Sequence, residues 1–271
     1  MRIGIIGGGA IARVIFDAVR RGELGDVSVA AILGRSGASR GRPLAAESGA
    51  PFVTRLEALL ELRPDAVIEA ASHDAVRQYV PPLLDKGIPV IVLSGGALCD
   101  DALRSKLERL AAERGAMLYV PSGGIGGLDA LKAACAAGVD EVEIAVTKPP
   151  AAWKDIPYVE RLGVDLDRLA GPVTLFEGSA REGVPHFPAN VNIAAVLALA
   201  GVGFERTRLK VVADPALRFN THTVNVRGRT GAFSLKFESV PSPENPKTAL
   251  LACYSALAAI RQLASPVRYG T

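Results

Sequence analysis

Apolar positions along the 271 residues come in two textures. Up to about residue 121, short runs that are apolar at nearly every position alternate with segments whose apolar residues recur every three or four positions. Residues 2–6 (Arg-Ile-Gly-Ile-Ile), 27–33, 66–70, 89–93 and 116–120 read as strands buried on both faces, and 10–20, 56–62, 75–86 and 101–114 as helices. In 10–20 the stripe is Ile11, Val14, Ile15, Ala18 and Val19. Such alternation predicts a parallel sheet covered by helices on both sides, a doubly wound α/β domain of the Rossmann type.

After residue 122 the texture changes. A glycine-rich turn, Ser122-Gly-Gly-Ile-Gly-Gly127, opens a helix running to 137. The next strands, 141–147, 223–226 and 232–237, alternate apolar with polar residues, which predicts a mixed or antiparallel sheet with one face less buried. Helices are expected near 158–162 and 191–199. A second α+β domain therefore spans about 122–244. The last helix is expected to begin at Asn245-Pro-Lys-Thr, with Asn as cap and Pro in the first turn, and to run to about 263. Its wide apolar face predicts that 245–271 packs back on the first domain (1–121). A sheet with an uncovered apolar face also predicts a homodimer.

Composition narrows the function classes. A net charge of +3 without a basic run longer than two residues argues against nucleic acid as a partner. Three scattered cysteines without a CxxC pair exclude a disulfide scaffold and a zinc ribbon, so no metal site is expected and a reducing, cytoplasmic setting is the default. The first residues lack the pattern of a signal peptide, and no uncharged apolar stretch approaches the roughly 18 residues of a membrane span.

Candidate chemistry starts at the first turn. Gly7-Gly8-Gly9-Ala10-Ile11-Ala12 fits G-x-G-x-x-A between a strand and a helix. Gly7 makes the tight turn, Gly9 lets a diphosphate approach the backbone, Ala12 allows close helix–strand packing, and the N–H groups at Ala10 and Ile11 face the anion. The second strand ends Leu33-Gly34-Arg35-Ser36, with no acid to select the 2′-hydroxyl of NAD. Arg35 suits the 2′-phosphate of NADP or stacks on adenine, so NADP is expected, with NAD also accepted; a solvated loop cation is the plainer alternative. Ala70-Ala71-Ser72-His73 and Leu93-Ser94-Gly95-Gly96 end two further strands, where small residues such as Ser72 admit a flat nicotinamide ring. His73 caps the next helix, packs by the cofactor or acts chemically. His186 and His222 are the other histidines, each a candidate proton carrier or an ordinary loop or core residue.

Several segments occur together in order: the N-terminal glycine turn, Pro121-Ser-Gly-Gly-Ile-Gly-Gly-Leu-Asp129, Phe187-Pro-Ala-Asn-Val-Asn-Ile-Ala-Ala195, Ala213-Asp-Pro215 with Asn220-Thr-His222, and Asn245-Pro-Lys-Thr248. In combination they resemble the L-aspartate dehydrogenase family over essentially the whole chain. The resemblance implies NAD(P)-dependent oxidation of L-aspartate to iminosuccinate, then oxaloacetate and ammonia, and the reverse reductive amination, feeding pyridine nucleotide synthesis. It implies His222 as the catalytic residue and Gly124 and Asn190 as cofactor contacts; the family usually carries alanine where Gly124 stands. Aspartate brings two carboxylates. Lys247, a cation in the first turn of the expected last helix, opposes the dipole at a cost of about 0.3–1 kcal/mol, which marks it and Thr248 as substrate-binding candidates. Lys148, in Thr147-Lys-Pro-Pro150, is a second cation candidate; an exposed lysine is the alternative for both, and Trp153 reads as packing. The competing readings are a related dehydrogenase or reductase acting on another amino acid or a cyclic imine, and a cofactor sensor without turnover.

Overall fold

In the computed structural model of the chain, residues 1–188, 190–243 and 245–267 are described, 245–247 by backbone alone. The chain divides into two compact units: Met1–Pro121 with the bulk of the last helix, and Ser122–Leu251.

The first unit runs β1 (Arg2–Ile6), α1 (Ala10–Arg20), β2 (Ser28–Leu33), α2 (Gly41–Ser48), β3 (Phe52–Val53), α3 (Leu56–Glu61), β4 (Ala66–Glu69), α4 (His73–Asp85), β5 (Val90–Val92), α5 (Asp101–Arg114) and β6 (Leu118–Tyr119). The six strands are parallel in the order β3-β2-β1-β4-β5-β6. The doubly wound sheet read from the sequence is the one that forms. Strands β1, β2, β4 and β5 are buried almost throughout, because helices cover both faces and every position must be apolar. One residue breaks that rule: Glu69, at the end of β4. The sheet order reverses between β1 and β4, so their carboxyl ends diverge into the crevice where such folds bind ligands. Two short elements, α2 and β3, do not stand out in the pattern because neither is long enough to show a period.

The second unit contains α6 (Leu128–Ala137), β7 (Val139–Lys148), α7 (Pro157–Arg161), β8 (Val173–Ser179), α8 (Ala180–Gly183), α9 (Asn192–Ala200), β9 (Thr207–Ala213), β10 (Asn220–Gly228), β11 (Gly231–Ser239), β12 (Pro241–Ser242) and β13 (Asn245–Ala249). Its five-stranded sheet has the order β11-β10-β7-β9-β8, mixed because β7 and β9 run parallel while the other pairs are antiparallel. β9 is as regularly alternating as β7 (Thr207, Leu209, Val211 and Ala213 inward), but Arg208 and Lys210 disguise it as polar chain. Register puts Val142, Ile144, Val146 and Lys148 of β7 on the buried face with Leu209, Val211, His222, Val224 and Val226. The opposite face carries Glu141, Glu143, Arg208, Lys210, Arg227, Lys236 and Glu238. The apolar uncovered face on which a homodimer was expected is therefore absent there: alternation sends the apolar residues to the helix side and charge to the other.

The last helix, α10 (Leu250–Ala264), begins five residues later than expected. Asn245–Ala249 is instead strand β13, paired antiparallel with β12, and the Leu250 N–H donates to the Val240 carbonyl at 2.9 Å. Asn-Pro is a turn signal as much as a helix start, and here the backbone groups find partners in the preceding strand. The premise of a helix N-terminus at Lys247 and Thr248 fails with it. Beyond Ala252, α10 inserts Ala256, Leu257, Ala259 and Ile260 into the core formed by Ile3, Ile5, Ile15 and Ile68 of the first unit. The Tyr119 hydroxyl donates to Gln262 at 2.8 Å and tethers it further. The ending 268–271 lies outside the described residues. Among the described residues no helix is long and apolar enough to cross a membrane.

Candidate active site

In the first unit the glycine turn is shaped by its neighbours. Gly7 has φ +105°, and a Cβ there would lie 2.6 Å from the Ala70 carbonyl oxygen, so only glycine fits. Around Gly9, by contrast, a Cβ would meet nothing within 4 Å, which leaves the backbone open to a ligand. Gly9 occupies the N-cap of α1 without a side-chain cap, and the first turn has no acid. The first helical bond is donated by Arg13 N–H to the Gly9 carbonyl, so the N–H groups of Ala10, Ile11 and Ala12 precede the ladder. Open backbone, unsatisfied donors and a positive dipole end fit a dinucleotide diphosphate. Gly8, between them, serves another purpose: its Cβ would lie 2.0 Å from the backbone nitrogen of Gly41, at the start of α2.

Arg35 follows β2 on an exposed loop and has no ion-pair partner among the described residues. Ser72 is the N-cap of α4, accepting from Ala75 N–H at 3.2 Å, and His73 is the first residue of that helix, so the cap expected of His73 belongs to its neighbour.

Sequence reasoning passed over Glu69. It is fully buried, yet its carboxylate accepts four hydrogen bonds. The N–H groups of Ala71 and Ser72 and the Ser94 hydroxyl donate to Oε1 at 2.8, 3.0 and 2.9 Å, and the Ser94 N–H donates to Oε2 at 3.0 Å. Burial raises its pKa, while the four donors pull the other way. The signal was available: one glutamate in an otherwise apolar strand.

In the second unit a polar cluster lies inside the sheet–helix layer. His222, on β10, is 2% exposed, and Lys148, at the end of β7, is 3% exposed. The Lys148 ammonium donates to the Asn190 backbone carbonyl at 3.2 Å and to its Oδ1 at 3.1 Å, and stands 5.3 Å from the centre of the Trp153 ring. No carboxylate pairs with it among the described residues. Burial without a counter-ion lowers its pKa to about 7. Burial first, and the Lys148 charge second, lower that of His222 to about 3. His222 Nδ1 and Asn220 Nδ2, on the face that carries Lys148, and Thr221 Oγ1, on the other face, are buried with no hydrogen-bond partner among the described residues, an unusual concentration of unsatisfied groups on three successive residues. A Cβ on Gly124 would lie 3.9 Å from His222 Cδ2 and 3.4 Å from Ala249 Cβ, ordinary contacts that alanine could make; glycine is not required there.

The structure thus gathers His222, Gly124, Lys148 and Asn190 in one place, and Lys148 is not the exposed lysine it could have been. Asn190 is not a helix cap, since Val191 holds that position; its carbonyl groups hold the lysine instead. Trp153 is fully buried, donates to the Val212 carbonyl at 3.0 Å and meets Phe187 edge-on. His186 stacks on Tyr158 at 4.2 Å within an aromatic cluster with Phe176, which accounts for it without chemistry. Thr248 is half-buried on β13, one residue from Ala249; the side chain of Lys247 lies outside the described residues.

Comparison with known proteins addresses the whole chain. Residues 129–263 match the family described as aspartate dehydrogenase, C-terminal, and residues 7–121 match the homoserine dehydrogenase NAD-binding domain family. The chain is 45% identical over its full length to the full length of L-aspartate dehydrogenase from Methanosarcina acetivorans, and 43% identical, again over all of both chains, to that of Methanosarcina mazei. The crystal structure of aspartate dehydrogenase from Thermotoga maritima superposes with a TM-score of 0.76 at 29% identity, covering 100% of this chain and 99% of that one.

Proposed function

Because the chain belongs to the aspartate dehydrogenase family, we propose that it oxidises the Cα–N bond of L-aspartate with NAD or NADP to give iminosuccinate. Water converts the imine to oxaloacetate and ammonia, and the reverse direction is reductive amination. The bound dinucleotide supplies the acceptor for the hydride leaving Cα. The chain supplies orientation and proton management.

The observation that carries the reading is the buried pair His222 and Lys148, with no carboxylate between them among the described residues. His222 is held neutral by burial, and the negative charge of a bound substrate carboxylate raises its proton affinity toward what a general base needs. In this reading it takes a proton from the substrate amine, or from the water that attacks the imine. Lys148 receives a substrate carboxylate: its present acceptors are neutral oxygens, and an incoming anion returns it to the ammonium form. Thr248 and Lys247 are proposed for the second carboxylate, supported by the position of their neighbour Ala249 beside Gly124. Gly7, Gly9, Ala10 and Ile11 take the diphosphate, Arg35 the adenosine ribose or its 2′-phosphate, and Ser72, Gly124 and Asn190 the remaining contacts. The physiological role proposed is supply of the imine to pyridine nucleotide synthesis in the cytoplasm. A homodimer belongs to the same reading, supported by exposed Phe219, Val240 and Leu251 on the second unit.

The deciding assay mixes oxaloacetate and ammonium with NADH, then with NADPH, and follows nicotinamide fluorescence. Consumption of reduced cofactor that requires both oxaloacetate and ammonium is expected. Turnover with another oxo acid or a cyclic imine, and none with oxaloacetate, overturns the reading. Sedimentation equilibrium reports the oligomeric state.

A further inference from the structure

A carboxylate buried in the first unit has no part in the hydride or proton chemistry above, yet it sits at the switch point of the sheet. Glu69 pairs with Ile6 of β1 on one side and Val92 of β5 on the other, at the carboxyl ends of all three strands. Its side chain adds a tie between two chain segments that leave the sheet from the paired ends of β4 and β5. One is the turn after β4, through Ala71 and Ser72; the other is the turn after β5, through both polar groups of Ser94. The first of these also backs the glycine turn: a Cβ on Gly7 would meet the Ala70 carbonyl at 2.6 Å and Ala71 Cβ at 3.0 Å. One fully buried side chain therefore fixes the floor of the crevice from Gly7 to Ser94.

In a doubly wound sheet of this order the adenosine lies on the β2 side and the diphosphate at the β1 turn, so the nicotinamide half falls on the side of β4 and β5. No cation pairs with Glu69 among the described residues; its partners are the N-terminal ends of α4, capped by Ser72, and of the short 3-10 helix Gly95–Cys99, which follows Ser94. A core strand of this kind is ordinarily apolar there, and a buried carboxyl is costly unless its hydrogen bonds are used. All four bonds go to the two turns.

We infer that Glu69 is a positioning residue for the nicotinamide half of the cofactor: its carboxylate holds the turns after β4 and β5 in the one arrangement that receives that half. It touches neither substrate nor reacting atoms and acts through Ser72, Ser94 and the glycine turn. The inference rests on the dinucleotide site alone, so it survives even if the amino-acid substrate is not aspartate.

The test compares two ligands on the same protein. NADH carries the nicotinamide half; ADP-ribose has the adenosine, the diphosphate and the second ribose but no nicotinamide ring. Glu69→Gln keeps the shape but sets an amide donor against one of the N–H donors. Leaving such a group unsatisfied should raise the NADH dissociation constant about tenfold or more. ADP-ribose affinity should stay within about twofold, and the apo protein should keep its thermal midpoint to within about 5 °C. A general structural role would weaken both ligands together and lower the midpoint. Equal losses for the two ligands, or an unchanged NADH constant, overturn the inference. Should Glu69→Gln not fold, Ser94→Ala decides: it removes one donor, and a selective loss of about threefold for NADH over ADP-ribose supports the role. An unchanged NADH constant in Ser94→Ala then overturns it.

Discussion

The two units each bury an ionisable side chain, and they treat it in opposite ways. Glu69 in the first unit receives four donors, three from backbone and one from a serine, and nothing around it is left wanting. Lys148 in the second unit has two neutral acceptors, no carboxylate among the described residues, and on the same face of the sheet His222 and Asn220, whose buried polar atoms find no partner among those residues. A satisfied buried charge is a strut, because its energy is spent on holding backbone in place. An unsatisfied cluster is a receptor, because a ligand that brings the missing charge and acceptors recovers the cost of the burial.

The sharpest way to break this contrast is at His222. His222→Ala should lower kcat by about 10²- to 10⁴-fold while leaving the urea midpoint close to wild type. A wild-type rate would remove the histidine from the chemistry and reduce the cluster to unexplained core.

Lys148→Met, of similar length and without charge, should raise the Michaelis constant for aspartate about 10- to 100-fold, the loss of one charge-assisted contact to a carboxylate. It should also make the apo protein more stable, by about 1–3 kcal/mol at pH 6. The receptor reading requires both effects together; a destabilised Lys148→Met would make the lysine a strut like Glu69. The pH dependence follows from the same burial. Lys148 gives up its proton at about pH 7 when folded and at an ordinary 10.5 when unfolded, so unfolding takes up a proton between those values. Its penalty is full below pH 7 and is relieved as pH rises toward 10.5. The urea midpoint of the wild type should therefore climb between pH 7 and 9, and that of Lys148→Met should stay flatter. His222, with its proton lost at about 3 rather than 6.5, adds a further fall in stability as pH drops through 6.5 toward 3.

The smallest effect is expected at the rim of the first unit. Arg35→Ala should weaken NADPH about five- to tenfold and NADH less than about twofold, measured by fluorescence titration. Equal effects on the two would leave Arg35 a solvated loop cation.

How much of this the sequence revealed differs between the units for a physical reason. A doubly wound sheet buries both faces of its strands, so β1, β2, β4 and β5 are plain apolar runs and α1 shows its stripe from Ala10 to Arg20. The glycine turn is local, and its chemistry is readable from adjacent residues. The second site is assembled from β7, β10 and the turn before α9, some seventy residues apart in the chain, and no local pattern links Lys148 to Asn190 or His222. His222 stood beside His186 as an equal candidate until the resemblance of the Asn-Thr-His segment to a known family singled it out. Lys148 looked like any lysine before a proline pair; its burial is a property of the register of β7, where position 148 shares a face with Val146 and Ile144. The misplaced start of α10 has another origin. Asn-Pro-Lys-Thr carries helix-start residues, but the chain had a competing partner in β12 that only the folded register supplies.

The middle glycine of the first turn has a practical corollary. Gly8 is pressed against Gly41, closer than a side chain on Gly8 would allow, and a Cβ on Gly41 would meet Ile32 at 2.8 Å, so the loop from Gly34 to Gly41 is seated on the glycine turn and not merely draped beside it. Anyone exchanging that loop to retune the protein between its two dinucleotides must transplant it with Gly41 intact and Gly8 unchanged. A graft that matches only Arg35 would lift the following helix off its seat and alter the glycine turn along with the selectivity it was meant to change.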